Sequence, residues 1–415
     1  MEASTVLASV AVLTGLYMAW NIGANDVANA MGTSVGSGAL TLKRALIVAA
    51  IFEFSGAMLV GGSVTDTISH GILDLSRIED GSLAVATGMT CCLLASAIWL
   101  HIATFMGWPV STTHSIVGAV VGFGFIAGGA ASVQWANVAI ISTSWVISPL
   151  LGGAVGFGLF VHIRKRILSN DNPLMAMQRH GPYLLFPVGM MLALSLIYKG
   201  LKPLHLDLPF GTAAAISIGV GTLFVLVSAP LLGRLTSTSQ NLSTRRNLRQ
   251  TERVFLVLQI ITASFVAFAH GSNDVANAVG PMAAVFHELS TDPASQVRIS
   301  FHVLIIGACG IVFGLATYGY KVIATIGEKI TELTPSRGFA AEFAAASTIL
   351  IASKLGLPIS TTHTLVGSVI GVGFARSVGA INTQVLKGIF ASWFVTVPFT
   401  ALLSGGLYKL AMLLV

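Results

Sequence analysis

Long, continuous apolar runs alternate with short polar connections along most of this chain. Runs of this length favour α-helices that cross a bilayer, because strands of a membrane barrel show a two-residue alternation instead. The pattern therefore predicts an all-α integral membrane protein with about twelve transmembrane helices. The runs cover residues 4–30, 45–62, 81–104, 109–129, 132–161, 182–200, 210–232, 253–285, 300–320, 338–355, 358–378 and 384–412.

Two connections, 162–181 and 233–252, are the most polar stretches of the chain and are rich in arginine. Lys and Arg collect in cytoplasmic loops, and an even number of predicted crossings separates these stretches, so both are predicted to face the cytoplasm. Counting outward places both termini outside and most of the other basic residues inside. The glycine-rich segments 109–129 and 358–378 are predicted to cross fully, with a half-crossing hairpin as the alternative.

Composition excludes a soluble protein, since only 9% of the residues are charged, against about 25% in soluble domains. The net charge of +6 is interpreted as a topology signal and not as nucleic-acid binding, because the basic residues cluster in the connections. The three cysteines have no metal-ligand spacing. No metalloprotease His pair, nucleophile elbow or P-loop is present, which argues against a membrane enzyme.

Two motifs recur along the chain at nearly one offset. Asn-Asp-Val-Ala-Asn-Ala at 25–30 returns unchanged at 273–278, 248 residues later, and Pro-Val-Ser-Thr-Thr-His at 109–114 returns as Pro-Ile-Ser-Thr-Thr-His at 358–363, 249 residues later. This indicates internal duplication. In the predicted topology the copies run in opposite directions, as in transporters built from inverted repeats. The predicted parts are repeat one at 1–161, a connecting segment with two crossings at 162–252, and repeat two at 253–415.

Each Asn-Asp motif places one carboxylate and two amides in an apolar run. An ionised Asp at bilayer depth costs about 2.5–3.5 kcal/mol, so two copies favour paired sites for a charged ligand over a polar network that only joins helices. The oxygens suit a hard cation such as sodium, completed by backbone carbonyls at a predicted helix break. The predicted ligands are Asn25, Asp26, Asn29, Asn273, Asp274 and Asn277.

The Pro-x-Ser-Thr-Thr-His copies predict helix starts, because proline suits the first helical position and Ser or Thr suits the cap. Hydroxyls and free backbone N–H groups at two such starts would cradle a tetrahedral anion. Hardly any Lys or Arg lies far from the end of a predicted crossing, so cations held at the Asn-Asp motifs would neutralise that anion. The predicted anion contacts are Ser111, Thr112, Thr113, Ser360, Thr361 and Thr362.

Four further titratable residues form a possible additional ion or proton site. His114 and His363 follow the hydroxyl runs, and they are proton carriers, anion donors or packing residues. Glu53 and Glu342 lie in apolar runs at non-equivalent places in the two repeats. Glu342 is predicted to be a third ion ligand or part of the path, and Glu53 has the same role or bridges helices.

Both pairs of motifs resemble those of the inorganic phosphate transporter (PiT) family, whose members cotransport phosphate with sodium or, in some bacteria, with protons or as metal-phosphate complexes. The resemblance implies twelve spans in an inverted repeat, outside termini and commonly a homodimer. It assigns Asp26, Asn29, Asp274 and Asn277 to cation positions, and the six hydroxyl residues above to phosphate contacts. The short connecting segment is similar to that of compact prokaryotic members.

The leading hypothesis is a sodium-coupled importer of phosphate in the cell (inner) membrane, with sodium as a cotransported ligand, no bound cofactor and no nucleic-acid partner. A proton-coupled phosphate symporter and a sulfate permease are alternatives within this class, since one branch of the family moves sulfate. An ion channel is the alternative from a different class, but duplicated antiparallel sites favour alternating access.

Overall fold

The computed structural model describes residues 2–62, 68, 71–78, 81–197, 208–236, 244–290, 301–323, 330–377, 379 and 381–413. This part of the chain is helical and contains no strand beyond an isolated bridge between Leu73 and Val133. The helices are α1 (Glu2–Gly36), α2 (Leu42–Val60), α3 (Gly81–Phe105), α4 (Thr112–Gly128), α5 (Trp135–Ile163), α6 (Pro173–Ser195), α7 (Phe210–Thr236), α8 (Thr244–Asp274), α9 (Ala276–Glu288), α10 (Phe301–Tyr318), α11 (Pro335–Lys354), α12 (Thr361–Arg376) and α13 (Thr383–Met412).

The predicted apolar runs coincide with these helices, and the all-α prediction is confirmed. The eighth run is divided between α8 and α9, and the last residues of the run 182–200 lie outside the described residues. Within the described part, seven helical segments are long and apolar enough to cross a membrane. The number of crossings and the division of the chain into two repeats and a connecting segment stay predictions.

Helices of the first and second halves pack in corresponding ways. α5 packs against α12 and α13 against α4, just as α1 packs against α10 and α8 against α2. The close approaches also correspond: a side chain at Gly118 would meet the carbonyl of Val397, and one at Gly367 would meet the carbonyl of Pro149. Glycine permits such approaches between membrane helices. This packing fits the internal duplication seen in the sequence.

Helix continuity differs between the two Asn-Asp motifs. α1 runs through its copy without interruption, whereas α8 ends at Asp274 and α9 begins at Ala276. Pro281 follows Asn277 by four residues, so it donates no hydrogen bond to the Asn277 carbonyl and its ring crowds that group. The corresponding residue of the first copy is Thr33, which keeps its N–H. Val275, the single residue between α8 and α9, keeps helical backbone angles (φ −57°, ψ −30°), and its carbonyl accepts from the Ala278 and Val279 N–H groups. The expected helix break is therefore absent from the first motif and is only a local irregularity at the second.

α3 with α4, and α11 with α12, form two hairpins whose tips meet inside the protein. Thr362 Oγ1 donates to the Val110 carbonyl at 3.1 Å, and Thr113 Oγ1 donates to the Ile359 carbonyl at 3.0 Å. All four residues are buried. The tips therefore lie inside the protein, although α3, one arm of the first hairpin, is long and apolar enough to span a bilayer. Full crossing of 109–129 and 358–378 and outside termini both stay predictions.

Close packing of α1 on α10 gives a test of the fold. A side chain at Gly314 would meet the carbonyl of Trp20, whereas nothing lies within 4 Å of one at Gly158 on α5. Overpacking costs about 1–3 kcal/mol, so Gly314→Ala should lower the midpoint of thermal unfolding in detergent, and Gly158→Ala should not. Equal midpoints for Gly314→Ala and the parent protein would contradict this packing.

Candidate functional site

Both predicted helix starts are present and are capped in the same way. Ser111 accepts a hydrogen bond from the His114 N–H, and Ser360 accepts one from the His363 N–H, each at 3.1 Å. A capping hydroxyl satisfies only one of the free N–H groups of the first helical turn. The remaining N–H groups give each start a partial positive charge. The two starts face each other across the meeting hairpin tips.

The second asparagine of each motif contacts hydroxyls on the hairpin of the opposite half. Asn29 Nδ2 donates to Thr362 Oγ1 at 2.8 Å. Asn277 Nδ2 donates to Thr112 Oγ1 at 3.2 Å and to Thr113 Oγ1 at 3.3 Å. The residues predicted to bind a cation in one half thus adjoin those predicted to contact an anion in the other. The structure brings both predicted sets into one buried site.

Both aspartates are completely buried, but their oxygens are unequally supplied with donors. Asp274 Oδ2 accepts from Thr361 Oγ1 at 2.7 Å, and Asp26 Oδ1 accepts from Asn29 Nδ2 at 2.9 Å. Asp26 Oδ2 and Asn29 Oδ1 are buried and accept no hydrogen bond. Buried acceptors without donors are rare in proteins. Such oxygens are the ligands that a hard cation requires.

The first asparagine of each motif fastens the motif to a hairpin. Asn25 Nδ2 donates to Thr104 Oγ1 at 2.9 Å, and the Asn25 side-chain oxygen accepts from the Val110 N–H at 3.3 Å. The Asn273 amide lies 3.0 Å from Ser353 Oγ in the corresponding place. These two amides hold the hairpin tips against the Asn-Asp motifs. Their contacts fit a positioning role better than the predicted role of cation ligands.

His270, which sequence reasoning missed, lies among three buried carboxylates. Its Nε2 is 2.8 Å from Asp274 Oδ2 and 3.7 Å from Asp26 Oδ2, and its Nδ1 is 3.3 Å from Glu53 Oε1. The ring nitrogens are not aligned for a hydrogen bond with any of them. The available signal was the four-residue spacing from His270 to Asp274, which places both on one helix face. The internal duplication did not point to His270, because the residue that matches it in the first half is Ile22.

Groups that suit an ion surround the centre of this cluster. Ligand atoms of Asp26, His270 and Asp274 all lie within 4.8 Å of one another. Sodium prefers oxygen ligands to an imidazole nitrogen. The carboxylate and amide oxygens therefore suit sodium. The His270 imidazole suits the role of an ion-pair partner to the carboxylates.

Glu342 lies in a separate pocket of hydrogen-bond donors. Its Oε1 accepts from Thr33 and Ser34, each at 2.6 Å, and from Gln259 at 3.0 Å, and its Oε2 accepts from Thr262 at 2.7 Å. All five residues are completely buried. The pocket joins α1, α8 and α11, and the position that matches Glu342 in the first half is a leucine. The arrangement is therefore one-sided, unlike the paired Asn-Asp motifs.

His114 and His363 contact aromatic rings. Their ring centroids are 4.3 Å apart, and they lie 3.8 Å and 3.4 Å from the centroids of Trp145 and Trp393, respectively. All four rings line a largely apolar cavity of about 790 Å³ beside α5 and α13. The tryptophans share the 248-residue offset and were a missed signal. These contacts favour the packing interpretation of the two histidines over that of a proton carrier or anion donor.

A helical membrane protein with buried ion-binding groups beside two inward helix starts has the features of a secondary transporter. The model of the phosphate transporter family matches residues 22–404. The chain belongs to this family, which confirms the resemblance seen in the motifs.

Several relatives match along nearly the whole chain. A putative phosphate permease of Chlamydia trachomatis is 47% identical over 413 residues, which cover 95% of each chain. One from Pyrococcus furiosus is 44% identical over 410 residues, covering 98% of this chain and 96% of the relative. The chloroplastic inorganic phosphate transporter 2-1 of Arabidopsis thaliana is 45% identical over 422 residues, covering 96% and 71%.

A solved structure of a sodium-dependent phosphate transporter has the same fold. It superposes with a TM-score of 0.91 at 39% identity and covers 99% of this chain and 100% of its own. The fold and the family together define a multi-pass membrane transporter.

Replacement of His270 tests its role in holding the buried carboxylates. His270→Leu would leave Asp26, Glu53 and Asp274 without their shared partner, and removal of one member of a buried ion pair costs about 3–5 kcal/mol. The midpoint of thermal unfolding in detergent should fall clearly. His180→Leu, at a partly exposed position of α6, serves as the control. An unchanged midpoint for His270→Leu would show that the imidazole contributes nothing to the cluster.

Proposed function

We propose that this transporter imports inorganic phosphate together with sodium across the cell (inner) membrane by alternating access. The single observation that carries the proposal is the crossed pair of contacts from Asn29 to Thr362 and from Asn277 to Thr112 and Thr113. These contacts make the carboxylate motifs and the hydroxyl-bearing helix starts parts of one site. A cation and an anion bound there would be neighbours.

The hydroxyl residues supply the phosphate contacts in this proposal. Helix starts bind oxyanions through free backbone N–H groups and the helix dipole. Within the described residues, neither Asp26 nor Asp274 pairs with a lysine or arginine. The site therefore offers donors and partial charges but few full positive charges for a phosphate. Bound cations would provide the missing charge. Ser111, Thr112 and Thr113, with Ser360, Thr361 and Thr362, form this set.

The aspartates and Asn29 supply the sodium ligands. The two buried oxygens without donors, Asp26 Oδ2 and Asn29 Oδ1, lie on neighbouring turns of α1. A sodium ion there would offset the cost of a buried carboxylate. Pro281 frees the Asn277 carbonyl in the second motif, where Asp274 and Asn277 would hold a second ion. Sodium dependence of the solved relative supports sodium as the coupling ion.

Alternating access is supported by the arrangement of the two hairpins. Their tips meet over the site through the reciprocal hydrogen bonds of Thr113 and Thr362. Transporters with corresponding halves expose a central site to each side in turn by moving one half against the other. We propose that separation of the tips opens the site. The one-sided Glu342 pocket makes the two openings unequal, with Glu342 on the ion path and Glu53 bridging α2 to His270.

Proton coupling is the second candidate, and the position of His270 favours it. An imidazole between Asp274 and Glu53 would carry a proton between carboxylates when sodium is absent. Sulfate remains the alternative anion, because hydroxyls and helix starts bind any tetrahedral oxyanion. Assembly as a homodimer and outside termini accompany the proposal as expectations of the family resemblance.

Neutralising either aspartate should abolish uptake. Asp26→Asn and Asp274→Asn each remove the only full negative charge of one motif. We expect both variants to lose sodium-driven uptake of radiolabelled phosphate into proteoliposomes while they remain folded. Asp171→Asn, at an exposed position between α5 and α6, controls for the change in charge. Uptake within about twofold of the parent rate in both variants would rule out these residues as cation ligands.

Sodium should raise the equilibrium affinity for phosphate, and phosphate should raise that for sodium by the same factor, because the coupling is one free energy shared by both sites. Phosphate binding to purified protein in detergent, where no gradient exists, is titrated in sodium and in potassium at equal ionic strength. Phosphate affinity should be high only in sodium. Tight binding in potassium with a dependence on pH would favour proton coupling, and binding of sulfate instead of phosphate would overturn the substrate.

The same titration separates the anion contacts from the cation ligands. Thr112→Val keeps the shape of the side chain and deletes a donor, and a hydrogen bond to a charged group contributes about 1.5–3 kcal/mol. Thr112 is chosen because the Thr361 hydroxyl already donates to the proposed cation ligand Asp274. Phosphate affinity should fall about tenfold or more. Thr143→Val, on the exposed face of α5, should leave it unchanged.

A further inference from the structure

A second cavity, separate from the transport site, is lined by five arginines. It has a volume of about 560 Å³ and lies where the end of α5, the beginning of α8, the beginning of α11 and the end of α12 come together. Among the described residues, Glu252 is its one acidic lining residue. The arginines are Arg164, Arg249, Arg253, Arg337 and Arg376. Arg164 and Arg249 lie in the two connections that the sequence predicts to face the cytoplasm.

The acidic groups near the cavity offset only part of this charge. Both oxygens of Glu252 are occupied by Ser336, whose N–H and hydroxyl donate at 3.0 Å and 2.8 Å. Glu332 pairs with Arg376 at 2.7 Å and lies 3.9 Å from Arg337. Two carboxylates thus face five guanidinium groups, which leaves a net positive charge around the cavity.

Among the described residues, the remaining three arginines form no ion pair with a carboxylate. Arg164 Nη1 donates to the Ala375 carbonyl at 2.6 Å, which fixes the guanidinium without neutralising it. In the described part of the chain, Arg249 and Arg253 form no ion pair with a carboxylate, and both are exposed. Like charges gathered around one cavity repel each other unless an anion lies between them.

The walls of the cavity also have an apolar side. Phe160 is buried, Leu168 is partly buried and Leu248 is exposed, and all three line the cavity with the arginines. The Arg337 guanidinium lies over the Phe160 ring at 5.9 Å. A cavity with a cationic side and an apolar side matches a ligand that carries a phosphate next to a less polar group. Basic pockets between helices at the cytoplasmic membrane surface bind anionic headgroups.

We propose that this arginine cavity binds a phosphate-bearing anion, either the headgroup of an anionic phospholipid or a soluble phosphate compound from the cytoplasm. Arginine forks bind phosphate oxygens in a bidentate geometry. The cavity is not the transport site: Arg376 ends α12, and Thr361, which contacts Asp274, begins it about 22 Å away along the helix. An anion bound there would link the ends of four helices. Three of these helices, α8, α11 and α12, carry Asp274, Glu342 and Thr361, respectively.

The test uses the purified full-length chain in an uncharged detergent. Phosphatidylglycerol is added to the micelles, with phosphatidylcholine at the same mole fraction for comparison. In the soluble arm, inorganic tripolyphosphate is compared with sodium sulfate at equal ionic strength. The midpoint of thermal unfolding is followed against the concentration of each probe. The parent protein should be stabilised by phosphatidylglycerol or by tripolyphosphate, and the probe that acts identifies the source of the phosphate.

Variants assign the effect to the cavity. Arg249→Gln with Arg253→Gln removes two guanidinium groups that pair with no carboxylate, and the probe concentration needed for half the stabilisation should rise about tenfold or more. Arg245→Gln with Arg246→Gln makes the same charge change on the same helix, at exposed positions outside the cavity, and should respond as the parent does. Arg164→Gln replaces the first double variant if that protein does not fold.

Two results would overturn the proposal. Neither phosphatidylglycerol nor tripolyphosphate stabilises the parent protein beyond its matched control, or the two double variants lose the response equally. Phosphate uptake is not the readout, so failure of this proposal is distinct from failure of the proposed transport function.

Discussion

The structure depends on the burial of two carboxylates inside a membrane protein. Asp26 and Asp274 are completely buried, and an unpaired charge at that depth is costly. The fold meets this cost by bringing polar groups inward that would otherwise lie at the membrane surface. Two helix hairpins place their tips beside the aspartates, and Thr361, Asn29 and His270 provide contacts.

Internal duplication explains why the hairpins meet as they do. Thr362 donates to the Val110 carbonyl and Thr113 to the Ile359 carbonyl, so one hydrogen-bond pattern is used twice across the interface between the tips. A reciprocal contact of this kind can open without loss of either helix.

The two halves also differ, because several buried polar groups occur in only one of them. His270 and Glu53 form a buried pair in one half only, and the Glu342 pocket has no counterpart in the other half. Pro281 also leaves the Asn277 carbonyl without its usual donor in the second copy, whereas the first copy has Thr33 at the matching position. The two halves share their contacts to the hairpins, but their surroundings differ. These differences follow from single residues.

The sequence alone determined the helical membrane class, the two motif pairs and the helix starts, because these features rest on local composition, capping and spacing. It also singled out the aspartates, since a repeated carboxylate in an apolar run has no local explanation. The meeting of the two hairpin tips, the position of His270 and the hydroxyl pocket around Glu342 were decided only by tertiary structure. Each depends on residues distant in the chain: Thr33 meets Glu342, and His270 meets Glu53, across helices whose contact no local pattern records.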